Sequence, residues 1–371
     1  IVLLLNDVRV HLAVSLWLLT AVHGLLVSSS NQFAVNLYDV LHKEGSNLCF
    51  SPSSIAWTLS ALYRGSRGLT AYELATVLGY DRTQGTDNQL GPAPQWTALL
   101  LQQGFTVLPN YTDILRDVYN TEVQVADLGN PDTVSAINEH VSNVTNGQIQ
   151  RLFSGPLPPG SRMLLLSATH FKETWQTQFD PSKTYRGLFY NARGDPVETD
   201  FMYTRMRAPV GRQGGVQGIL LRYAGGTHDA LLILPEKRFH HQRLSIKLVE
   251  QLLASMEERE VDVVLPRFKI ESSVPLRSYA ADLGMPSAFL ESVADLSGIT
   301  GSRDLYVTEF LHRAAIVVNE EGTEAATVTA LTAGLRKRPD VAHFVADYPF
   351  VLLVRDASTG LWLYVAYLSN L

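Results

Sequence analysis

The chain has 371 residues, of which 46% are hydrophobic and 18% charged, a balance that fits a packed globular protein and excludes a disordered one. With 30 basic against 36 acidic residues the net charge is -6, so the molecule as a whole has no electrostatic reason to seek nucleic acid or an anionic membrane. A single cysteine, Cys49, excludes an intrachain disulfide; stability must come from packing, which a large core supplies without crosslinks.

From Val10 to Val27 no Asp, Glu, Lys or Arg occurs. With Arg9 before it, an apolar centre from Leu12 to Val22 and the small Gly24, the stretch 1–24 reads as a secretory signal cleaved somewhere between 24 and 30. A membrane anchor is the competing reading, but a run containing His11 and His23 is marginal for one; a buried helix is the other. One domain is then expected over 30–371.

Phe33, Leu37, Val40 and Leu41 recur at helical spacing, with Ser30 and Asn31 placed to cap the start. Phe50-Ser51-Pro52-Ser53-Ser54-Ile55 opens a second helix that Ser51 or Ser54 caps. From Asp81 to Trp96 the composition is polar with Gly85, Gly91, Pro92 and Pro94, which reads as a loop. Asn130-Pro131-Asp132 starts a helix and Asn146-Gly147 stops it; at about 100° per residue Val134, Ile137, Val141 and Val144 share one face and Asn143 points the other way. Asn143-Val144-Thr145 and Asn110-Tyr111-Thr112 are candidate glycosylation sequons.

Strand-like runs follow at Met163 to Leu166, Ile219 to Leu221, Ala230 to Leu234, Val261 to Leu265, Ala314 to Val318, Phe350 to Val354 and Leu361 to Leu368, the last two flanking a hairpin connection at Asp356 to Gly360. A helical stretch from Leu244 to Glu258 falls among them without regular alternation. This predicts α+β architecture with large, mainly antiparallel sheets surrounded by helices.

The chain contains no Gly-x-Ser-x-Gly elbow, dinucleotide or phosphate-binding glycine loop, or His-Glu-x-x-His helix. His240 and His241 are adjacent, project apart on most backbones and make a poor chelate. Neither a metal nor a cofactor is expected, and the chain does not read as an enzyme, although a triad is recognised in space and no local motif need announce it.

One stretch carries the reading. Glu320-Glu321-Gly322-Thr323-Glu324-Ala325-Ala326-Thr327-Val328-Thr329-Ala330 follows the run Ala314 to Val318, and Leu331 to Leu335 then lead to Arg336-Lys337-Arg338-Pro339. Small β-compatible residues without Pro can thread into a sheet as an added strand, and Gly322 lets the chain hinge. Taken alone it is a small-residue surface loop, and its basic end a solvated run or heparin-like patch.

Glu320 to Ala326 resembles the proximal hinge of inhibitory serpins, and further motifs of that family recur in family order. These are Phe50 to Ile55, Thr145-Asn146-Gly147-Gln148-Ile149, Phe171-Lys172-x-x-Trp175, Leu265-Pro266-Arg267-Phe268, Asp295-Leu296-Ser297-Gly298-Ile299 and Ala346-Asp347-Tyr348-Pro349-Phe350. The resemblance runs from about Ser30 to the end. It implies the serpin fold with an exposed reactive-centre loop that a target protease cleaves, after which the loop inserts as a strand and the enzyme is held as an acyl complex. The family's spacing leads from Glu320 to a cleaved bond at Arg336-Lys337, which implies a trypsin-like serine protease as covalent partner; Lys337-Arg338 is the second choice, and Pro339 argues against cleavage after Arg338.

By the same resemblance Thr323 enters the sheet first, with Ala325, Ala326 and Thr329 small enough to follow. Arg267 pairs with Glu320 beside Trp175 in the breach at the top of the sheet, and His312 lies with Ser51, Ser54 and Ser167 in the shutter beneath. Ser167 stands where the family usually has Asn, Glu173 and Ala366 where it usually has Gly, and the helix D region is shortened. Asp81 to Gly104 contains only Arg82 among basic residues, so a glycosaminoglycan partner is not expected. A secreted monomer, with no nucleic-acid partner and no membrane contact after signal removal, is the expectation; a non-inhibitory serpin that carries a ligand or binds a partner is the alternative.

Overall fold

The computed structural model describes residues 27–80, 95–119, 121, 123–238, 243–321 and 341–371. The predicted signal, the His240-His241 pair, most of the loop predicted over Asp81 to Trp96 and the loop positions Gly322 to Lys337 with Arg338 and Pro339 lie outside the described residues.

Helix α1 covers 27–41, three residues earlier than its predicted cap. Asn31 therefore lies inside the helix, and its side chain serves a distant partner: it donates to Gly360 O at 3.0 Å and accepts from Trp362 N at 2.9 Å. After β1 (Leu48–Phe50), helix α2 (Pro52–Gly65) starts as expected. Ser51 is extended at φ -106° and its Oγ accepts from Ser54 N at 3.2 Å, while Pro52 occupies the first turn, where no backbone donor is needed. Helix α3 (Gly68–Leu78) closes on Gly79 at φ 69°, in the left-handed region that glycine enters without steric cost.

The remaining helices are α4 (Pro109–Tyr119), α5 (Pro131–Val144), α6 (Ile246–Ala254) and the single turns α7 (Ala280–Leu283) and α8 (Ser297–Thr300). The helix predicted from Leu244 to Glu258 is thus shorter at both ends. Glu257 and Glu258 already belong to β9 (Glu257–Pro266), where Val261, Val263 and Leu265 are buried at every second position, so a period of two takes over.

A 5-stranded sheet runs β10 (Phe268–Pro275), β11 (Val307–Val318), β4 (Met163–Phe171), β2 (Trp96–Gln102), β3 (Val123–Ala126). Trp96, read from sequence as the end of a loop, starts β2. The second sheet has 9 strands and joins β1, β14 (Trp362–Leu368), β13 (Phe350–Asp356), β8 (His228–Pro235), β7 (Val216–Arg222), β6 (Pro196–Gln213), β9 and β12 (Ala342–Val345), with β5 (Tyr185–Tyr190) also on β6. The α+β prediction holds. The sheets are more mixed than foreseen, because β11 with β4, β2 with β3, and β12 with β9 run parallel.

One face of the smaller sheet rests on α2: Met163 and Leu165 of β4 pack with Ile55, Leu59 and Leu62. On the other face Ile137 and Val141 of α5 cover Leu164, Leu166 and Ala168 of β4 and Ala315 of β11. This is the apolar stripe predicted for that helix. Asn130 caps it through Asp132 N at 2.9 Å, and Asn143 is exposed opposite.

Candidate functional site: the seam between two parallel strands

β11 and β4 lie side by side in parallel, from Val307 opposite Met163 across a bulge at Thr308 and then in register from Glu309 opposite Leu164 to Ile316 opposite Phe171. The chain leaves the upper end of β11 at Asn319. A segment turning back there runs antiparallel to both strands, an orientation in which each can form a ladder with it. The seam is thus a place where a strand can be added from above.

Midway down, His312 of β11 faces Ser167 of β4 in register. Both are fully buried. Ser51 N donates to His312 Nε2 at 3.0 Å, which leaves the ring proton on Nδ1, 3.1 Å from Ser167 Oγ. Ser167 Oγ accepts that hydrogen bond and shares another with Ser54 Oγ at 2.6 Å; Ser54 N in turn donates to Ser51 Oγ. One serine hydroxyl therefore closes the network at the position where the family resemblance led one to expect an amide. Burial pushes the His312 imidazole down to about 3, so the ring is neutral throughout the physiological range.

At the top, Trp175 stacks on Tyr223 with centroids 4.4 Å apart and planes 14° apart, and its indole donates to Asn319 O at 3.0 Å. Its backbone N–H donates to Glu321 O at 3.3 Å, and Phe179 N donates to Glu320 O at 3.0 Å. The Glu320 carboxylate is buried; Thr184 Oγ1 donates to Oε1 at 2.7 Å and Arg267 Nη1 lies 3.6 Å from the same oxygen. The Arg267–Glu320 pair expected from sequence is thus present, with Arg267 closer to Asp200, at 2.7 Å. Thr184, Asp200 and Tyr223 were not foreseen. Asp200 and Tyr223 sit in or beside strands whose register only the folded sheet defines, and no local motif marks any of the three.

Glu173 has a partner here: His228 Nδ1 is 2.8 Å from its Oε1. This ties the segment after β4 to the start of β8. The sequon residues divide by burial. Asn143 and Asn110 are exposed, but Thr145 is fully enclosed and its hydroxyl donates to Val141 O at 2.7 Å and accepts from Ile149 N at 3.1 Å. Thr145 is explained by that helix ending without any sugar.

A family model described as serpin (serine protease inhibitor) matches residues 28–371. Intracellular coagulation inhibitor 2 of Tachypleus tridentatus is 33% identical over 94% of this chain and 92% of its own length. Iripin-3 of Ixodes ricinus is 32% identical over 93% of this chain and 95% of its own. Among solved structures, human thyroxine-binding globulin superposes with a TM-score of 0.82 at 25% identity, covering 94% of this chain and 99% of that one. The chain belongs to the serpin family, and its two mixed sheets with surrounding helices are the serpin fold.

Proposed function

We propose that this protein is a secreted inhibitor of trypsin-like serine proteases that acts as a suicide substrate and is not itself an enzyme. The observation that carries the reading is the seam. Two parallel strands stand in register, and the chain leaving one of them is held over its top by Trp175, Phe179, Thr184 and Arg267 at Glu320 and Glu321. β4 offers 9 residues. Thr323 to Leu331 is a run of the same length with no Pro and only one charged residue, Glu324.

In this mechanism the protease attacks the Arg336-Lys337 bond, forms its acyl-enzyme with Arg336 and is carried away as the freed loop enters the seam. Addition of a strand then drives distortion of the captured enzyme. Its specificity rests on the Arg side chain entering an acidic pocket. Secretion is supported by the apolar run from Val10 to Val27 and by the exposed side chains of Asn143 and Asn110. Expression in a secretory host, with the medium assayed for a glycosidase-sensitive mass, tests that part.

Incubation with trypsin is expected to give a complex that survives boiling in detergent, and Arg336→Ala to abolish it; cleavage without complex defeats the inhibitory reading. A carrier function is the second reading, favoured by the likeness to thyroxine-binding globulin, which was solved in complex with thyroxine. It predicts loop cleavage without complex together with saturable binding of a small hydrophobic ligand.

A further inference from the structure

Strands β6 and β7 pair only from Gln213–Val216 to Val210–Ile219, and beyond that point they splay. The space on β7 is taken by the segment after β4: Trp175 bridges to Tyr223, and Gln176 N donates to Arg222 O at 2.8 Å. Between this segment and β6 remains a cleft of about 30 Å³ lined by Trp175, Gln176, Thr177, Arg207, Pro209 and Arg222, among others. That is room for a group of a few atoms.

Arg207 of β6 and Arg222 of β7 both line this cleft. Two like charges beside one cleft repel unless an anion lies between them. Nearby carboxylates do not neutralise them. Asp229, in register with Arg222, is held by Arg355 at 2.8 and 2.9 Å. Asp262 is held by Arg205 at 2.7 Å, Glu257 by Arg259 at 2.6 Å, and Glu173 by His228 at 2.8 Å. Glu260 is the cross-strand neighbour of Arg207 but forms no ion pair with it among the described residues. Arg207 and Arg222 are left exposed in one cleft, which Gln176 and Thr177 also line.

The geometry points to a binding site for one oxyanion of the sulfate or phosphate class, free or carried on a larger molecule, clamped between Arg207 and Arg222. Guanidinium forks match such a group with paired donors. The site adjoins the hinge, because the same Trp175 that floors it donates to Glu321 O and Asn319 O. An anion joining Arg207 of β6 to Arg222, whose carbonyl accepts from Gln176 N, holds the 175–177 segment in place and slows entry of a strand at the top of the seam; this second step rests on the insertion reading above, the binding itself does not.

The test is the unfolding midpoint of the full chain titrated with sodium sulfate at constant ionic strength, chloride being the replaced ion. Wild type is expected to gain roughly 2 °C, saturably, and the Arg207→Gln/Arg222→Gln double variant nothing. Equal gains in both proteins overturn the site. Should the double variant not fold, the single Arg207→Gln and Arg222→Gln variants take its place: each is expected to lose most of the gain, and a wild-type gain in both overturns the site. A sulfated disaccharide and a phosphoserine peptide, titrated in parallel, identify the carrier by a lower half-saturation than free sulfate; equal values assign the free ion.

For the hinge, incorporation of a synthetic peptide of sequence 322–333 is expected to slow several-fold in sulfate. An unchanged rate overturns the coupling. No incorporation in any buffer overturns insertion itself, leaving the midpoint titration as the independent measure of the site.

Discussion

At the scale of single residues, the seam is closed by one hydroxyl. Ser167 Oγ accepts a hydrogen bond from His312 Nδ1 and shares one with Ser54 Oγ, so Ser167→Ala leaves a buried N–H without a partner. The expected cost is about 1–3 kcal/mol in urea unfolding, with faster uptake of the loop peptide because the bond across the seam is lost. A Ser167→Ala protein as stable as wild type, with an unchanged uptake rate, removes this bond as a gate. His312 adds a pH dependence whose sign follows from its neutral folded state. The ring stays neutral down to about 3 when folded, whereas an unfolded histidine titrates near 6.5. The unfolded chain then binds the proton first as pH falls. The stabilisation is complete above about 6.5 and is lost at about 1.4 kcal/mol per unit on the way to 3. Urea midpoints at two pH values, compared with those of His312→Gln, read the difference; parallel profiles for the two proteins refute the assignment.

At the scale of elements, α5 lies over the seam and, on the proposed mechanism, has to yield when a strand enters beneath it. Its tether is a side chain: Asn138 Oδ1 accepts from Leu152 N at 2.7 Å and Phe153 N at 3.0 Å, and its Nδ2 donates to Phe153 O at 2.9 Å. Asn138→Ala is expected to lower stability by about 1–2 kcal/mol and to speed peptide uptake, measured by native-gel shift. Slower uptake would mean that α5 guides the strand instead of barring it. The helices are also where sequence reasoning was most reliable. Asn130-Pro131 and Ser51-Pro52 carry their starts in adjacent residues, because a cap and its helix are local. Asn31 misled for the opposite reason: its cap-like chemistry is used on Gly360 and Trp362, more than three hundred positions away. β6 went unseen because its exposed positions include Glu198, Arg205 and Arg207 and its apolar ones are scattered, so neither period stands out.

For the whole molecule, β4 and β11 pair with each other, so on the proposed mechanism the loop enters only if that ladder opens. Cleavage within the loop is then expected to raise the thermal midpoint markedly, since the new strand makes two ladders where one is broken; calorimetry of intact and cleaved chains reads this directly. An unchanged midpoint would mean that the seam does not open. Arg267 and Glu320 test the same property from the side of the intact protein. Their 3.6 Å pair is half exposed at the arginine, so Arg267→Ala is expected to change global stability little. Its effect should appear in how readily the hinge detaches.

The sequence by itself determined the family, through motifs in a fixed order. It also determined the starts of α2 and α5, the small-residue character of the stretch after Glu320, and the residue types at the shutter. These follow from chemistry carried within a few positions of chain. The tertiary structure decided which side chains meet: Arg267 with Asp200 as well as Glu320, and Glu173 with His228. Register and strand order set those meetings, and they arise from packing the whole sheet, which no local periodicity encodes.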